Sequence, residues 1–85
     1  METWRHLLEE AIWQRGETLA DIRANTMTKE EMDKKFDPGF GAPEGVPFTV
    51  WTENTVYFPI SYDGAERVGC VSRHPDGKPT EHQGC

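Results

Sequence analysis

Residues 55–62 read TVYFPISY, and this stretch decides the fold. Its β-branched and aromatic residues mark a strand. Val56, Phe58 and Ile60 alternate, which predicts one apolar face turned toward the rest of the core. Pro59 has no N–H to give to a ladder, so a bulge or an edge position is expected there. On either side the composition repeats. FTVWT (48–52) and RVGCVSR (67–73) are further strand candidates, with Glu53-Asn54 and DGAE (63–66) as the turns between them. Residues 48–73 therefore read as a three-stranded antiparallel meander.

Upstream, the periodicity changes. Trp4, Leu7, Leu8, Ala11 and Ile12 recur at the three-and-four spacing of one helix face, with Thr3 placed to cap and Gly16 to end the helix. Leu19 and Ile22 predict a further helical turn. In MTKEEM (27–32), Thr28 and Glu31 form a capping box and Met27 and Met32 a hydrophobic staple, which predicts a short helix from Lys29 to about Lys35. FDPGFGAPEGVP (36–47) is rich in Pro and Gly and reads as an extended connection, with Phe36 and Phe40 pinning it to the core. The expectation is a single α+β domain over residues 1–85. Its N-terminal helical part (1–36) packs on one face of the meander (48–73), and an irregular tail (75–85) follows.

The chain has 85 residues, too few for a large core. Fifteen Asp and Glu against nine Lys and Arg give a formal charge of -6, which argues against a phosphate backbone as direct partner. It suits either a basic protein partner or simple dispersion in solution. No run is long and apolar enough to span a membrane, and METWRHLLEEAIW lacks the pattern of a signal peptide. A cytoplasmic setting is expected.

Two constellations carry candidate chemistry. In CVSRHPDGKPTEHQGC (70–85), Cys70, His74, His82 and Cys85 have the composition of a Cys2His2 zinc site, although the spacing matches no standard finger. A Cys70–Cys85 disulfide is a second reading, disfavoured by a reducing compartment. A buried Cys70 with an exposed tail and no cofactor is the third, and it is preferred. Ser72, His74 and Asp76 alternate along one strand, so they point roughly parallel and do not converge as a triad must. No phosphate-cradling loop or other catalytic motif is present, and a non-enzymatic role is expected.

The second constellation is aromatic. Trp13 falls off the apolar helix face, directly after Ile12. Trp51 and Tyr57 are hard to bury together with Phe58 and Ile60, since neighbouring strand residues alternate faces. Exposed Trp and Tyr anchor protein interfaces. Trp13, Trp51 and Tyr57, with the acidic pair Glu9 and Glu10 on the helix, are the candidate partner-binding residues. A small core wrapped around all the aromatics is the plain alternative.

FDPGFG, PFTVWT, VYFP, YDG and RHPDGKPTEHQG are the elements of a resemblance covering residues 36–84. This part resembles the C-terminal part of small proteins encoded by bacteriophages and prophages. The resemblance implies an accessory protein that binds and blocks a host machine, as anti-CRISPR proteins and other counter-defence inhibitors do. The expected partner is a host defence or nucleic-acid-handling complex with a basic surface. The resemblance assigns no functional residue. A small zinc-binding structural module is the alternative. Neither the identity of a target nor an oligomeric state can be read from the residues.

Overall fold

A computed structural model describes residues 1–39, 44–62 and 64–80. The element order is α1 (Trp4–Gln14), a 3-10 turn (Leu19–Asp21), β1 (Ala24–Asn25), α2 (Lys29–Asp33), β2 (Val50–Trp51), β3 (Thr55–Tyr62) and β4 (Ala65–Ser72). The fold is α+β. The sheet is antiparallel, in the order β1-β2-β3-β4.

Four strands stand where three were expected. The additional one, β1, holds through Arg23 N donating to Trp51 O at 2.7 Å and Thr26 N donating to Thr49 O at 3.1 Å. The helical part is also leaner than expected, with one main helix. The capping box at Thr28 and Glu31 forms as read, but α2 ends at Asp33.

Thr3 caps α1 by accepting from His6 N at 3.2 Å, and the chain turns at Gly16 with a φ of 78°. Trp4, Leu8 and Ile12 lie on the buried side of α1, against Phe48, Val50, Tyr57 and Cys70 of the sheet half. Trp4 is the centre of an aromatic cluster. Phe36 and Phe48 lie 4.8 and 4.9 Å from it, and its indole N–H donates to Val46 O at 3.0 Å. Gly45 passes so close that a Cβ there would stand 2.7 Å from the indole ring. Phe36 pins the connection as expected, being 4% exposed, whereas Phe40 lies outside the described residues.

The sheet turns the other way from the sequence reading. Tyr57 and Thr55 are fully buried on the inner face, while Val56, Phe58 and Ile60 are half-buried on the outer one. The inward side of β3 carries a polar group that has found a partner. The Tyr57 hydroxyl donates to Glu17 Oε1 at 2.8 Å. Pro59 causes no bulge, because its register with Val68 is continuous. The pairing of Tyr62 with Ala65 makes Ile60–Arg67 and Phe58–Gly69 hydrogen-bonded pairs, so the nitrogen of Pro59 points away from β4. It points toward the side where β2 has already ended, and no ladder bond is lost.

Candidate functional site

Of the five candidate partner-binding residues, α1 carries three on its solvent side. Trp13 is 75% exposed, the largest aromatic surface among the described residues, and Glu9 and Glu10 are exposed one turn before it. Cβ atoms three and four residues apart share a helix face, so the three form one ridge. His6 continues it. Its Nδ1 lies 2.7 Å from Glu2 and its Nε2 lies 3.2 Å from Glu10. The hydrogen bond to Glu2, followed by the charge of Glu2, holds the His6 pKa above its ordinary value. The same bond holds Glu2 below the usual carboxylate range. The ridge is thus acidic with an aromatic tip.

Trp51 is half-buried and lies on the outer face of the sheet, beside Val56. Tyr57 is not an exposed anchor. It sits in the core with no accessible surface, and its hydroxyl is engaged by Glu17. Burial, then the neighbouring Glu17 carboxylate, pushes the phenol pKa up, so the ring stays neutral. Glu17 Oε1 also accepts from the Thr52 hydroxyl at 3.0 Å, and that hydroxyl accepts from Thr55 N at 3.1 Å. This polar cluster closes the β2–β3 turn onto the end of α1. It was not read from the sequence. Thr52 and Thr55 looked like ordinary strand residues, and Glu17 like a solvated acid.

Glu66 was read as part of the DGAE turn, whereas β4 begins at Ala65 and takes Glu66 into the strand. It is 7% exposed, and its carboxylate accepts from Glu44 N and Gly45 N, both at 2.9 Å. Its own N–H donates to Pro38 O at 2.9 Å. One β4 residue therefore holds both described ends of the Pro/Gly connection.

Among the described residues no group of three or more His, Cys, Asp or Glu could hold an ion. Cys70 is 2% exposed and disulfide-bonded, so the burial expected of it holds while the expected thiol does not. A disulfide sulfur carries no charge to offer zinc, so the two readings exclude one another. His74 is exposed, with Nε2 3.3 Å from Glu53 O. His82 and Cys85 lie outside the described residues.

Ser72 and His74 meet through the backbone. The Ser72 hydroxyl donates to His74 O at 2.7 Å and accepts from His74 N at 3.2 Å. That is a turn at the end of β4 and leaves no nucleophile–imidazole pair. An open concavity of about 860 Å³ lies beside this turn, with Arg15, Arg73, His74 and Lys78 on its walls. Arg73 is already committed there, its Nη1 donating to Thr52 O at 2.8 Å. No helix of the described residues is long and apolar enough to cross a membrane.

No protein-family model matches the chain, and neither a curated protein nor a solved structure is significantly similar to it.

Proposed function

We propose that this chain is a non-enzymatic inhibitor of phage type. It docks by protein–protein contact on a basic, nucleic-acid-handling surface of a host defence complex in the cytoplasm and blocks it. The observation that carries the reading is the α1 ridge. Trp13, 75% exposed, stands on a capped helix beside two exposed glutamates. A large amphipathic ring held on a rigid helix gives contact area at low entropic cost, and the acids steer it toward positive potential. The net charge of -6 supports the same direction of approach. A basic groove that receives nucleic acid is a surface such a ridge would occupy in competition.

The test is retention of purified host nucleic-acid-binding complexes on the immobilised chain, at low and high salt. Retention is expected at low salt, weakening as salt rises because charge steering is screened. Trp13→Ala, with its fold verified by circular dichroism, is expected to lose it. No retained partner at low salt, together with turnover of a substrate that needs no stoichiometric complex, refutes the reading.

A further inference from the structure

The α1 ridge sets two different groups side by side, an aromatic face and an unpaired anion. Side chains on a helix lean toward its N-terminus, which brings the Trp13 indole over the turn that carries Glu9 and Glu10. Cβ atoms at three- and four-residue spacing stand about 5–6 Å apart. The two acids are not equivalent. Glu10 already lies 3.2 Å from His6 Nε2, whereas Glu9 makes no ion pair among the described residues. The cations around it are engaged elsewhere. Arg5, one turn before Glu9, is turned to α2, where its Nε and Nη2 both donate to Asp33. His6 has its two ring nitrogens on Glu2 and Glu10. Arg15 stands roughly 200° round the helix axis from Trp13 and lines the concavity beside β4. Among the described residues, then, no side chain pairs with Glu9, and Trp13 stays 75% exposed beside it.

We propose that the ridge receives an arginine side chain of the protein partner, its guanidinium flat on the Trp13 ring and its edge forked to Glu9. The inference deepens the proposed function and rests on it for the premise that the ridge is a contact surface. The sign of the ridge and the net charge of -6 require a cation. The pairing of a ring with a carboxylate then separates the two basic side chains. A guanidinium is planar and weakly hydrated. It stacks by its face, roughly 3.5–4 Å above a ring, and donates by its edge, so both demands are met at once. A carboxylate accepts two parallel N–H bonds from that edge, and a glutamate one turn away is long enough to reach it. An ammonium is a compact, strongly hydrated point charge and satisfies the ring or the acid only by losing more water. Acids alone would attract lysine and arginine alike; the indole beside them makes the choice. The mount is firm, because Thr3 caps α1 and Trp4, Leu8 and Ile12 bury its other side. Little order is therefore lost on docking. Surfaces that hold nucleic acid present arginine forks to phosphate, so the proposed partner carries the group this ridge fits.

Two synthetic peptides of equal length and charge test it, one carrying arginines and the other lysines at the same positions. Each is titrated calorimetrically into the full chain at low salt. The arginine peptide is expected to bind about fivefold tighter or more. Trp13→Ala should bring both peptides to the same, weaker affinity, while Trp13→Phe keeps a ring and should keep the preference. Glu9→Gln should weaken the arginine peptide several-fold more than Glu10→Gln does, since Glu10 is shared with His6. Circular dichroism verifies the fold of each variant, and all three positions are exposed. Equal affinity for the two peptides overturns the inference. So does a preference that survives Trp13→Ala, or a chain that binds neither peptide. Equal peptide affinities alongside a host complex retained through Trp13 defeat this inference alone. A clear arginine preference with no retained host complex defeats only the inhibitor role.

Discussion

Replacing Tyr57 by Phe removes one oxygen and leaves the ring in place, so it opens no large cavity. The lost bond is the 2.8 Å donation to Glu17 Oε1. Hydrogen bonds to ionised groups contribute about 1.5–3 kcal/mol net. Glu17 is half-buried and keeps its Thr52 donor, so water can take up part of the vacated acceptor. The lower end of the range applies, about 1.5 kcal/mol. In urea, with a slope of roughly 1 kcal/mol/M for a small domain, the unfolding midpoint should fall by roughly 1.5 M at constant slope. Tryptophan fluorescence follows the transition, since Trp4 sits in the core and Trp13 in water. The Glu17→Gln variant completes a double-mutant cycle, and the coupling between the two sites should carry most of the loss. A midpoint shift below roughly 0.3 M would place the hydroxyl in water. Tyr57 would then face outward, Phe58 would belong to the core, and the assignment of the sheet faces would fail.

Three further outcomes follow from other contacts. Glu66→Ala strips the acceptor from the Glu44 and Gly45 amides, each at 2.9 Å. It should cost about 2 kcal/mol or more and speed hydrogen exchange at those two amides above all. Gly45→Ala drives a methyl to 2.7 Å from the Trp4 indole, and a loss of about 1–3 kcal/mol is expected in thermal or urea unfolding. His6 should titrate above its ordinary midpoint by NMR, and Glu2→Gln should bring that midpoint down. Since folding raises this pKa, the stabilisation is complete below about pH 6.5 and is lost as pH rises through the higher folded value.

The helical half was largely legible because its signals are local. Thr3, the apolar spacing of α1 and the Thr28–Glu31 box each act within a few residues of one another. The strands were legible as strands, but their faces were not. TVYFPISY is apolar at both parities, so alternation alone cannot say which side is wet. What decides it is a polar group seeking a partner forty residues away, Tyr57 with Glu17. β1 left no trace, since Ala24 and Asn25 have no strand preference and are recruited by the backbone of Thr49 and Trp51. Trp13, Glu9 and Glu10 could be placed on the solvent side because Trp13 directly follows a core residue. Tyr57 was misplaced along with its strand. The Glu66 clamp depends on contacts more than twenty residues apart and on the path of a Pro/Gly segment, neither of which a local pattern encodes.

The packing of α1 has a consequence for how the chain is made. The apolar side of α1 packs on Met27, Met32 and Phe36 and on residues from Phe48 to Cys70, so the helix lacks the sheet half of its cover while the ribosome is still reading the middle of the message. At ordinary elongation rates the interval between finishing Gln14 and finishing Ser72 is roughly 3–12 s. Throughout that time Trp4, Leu8 and Ile12 lack their cover from the sheet half and stay partly open to water and to other nascent chains. Maturation is therefore a single late event that starts when β4 closes over them. A truncation that removes β4 should produce an aggregating peptide, with no independently folded N-terminal half.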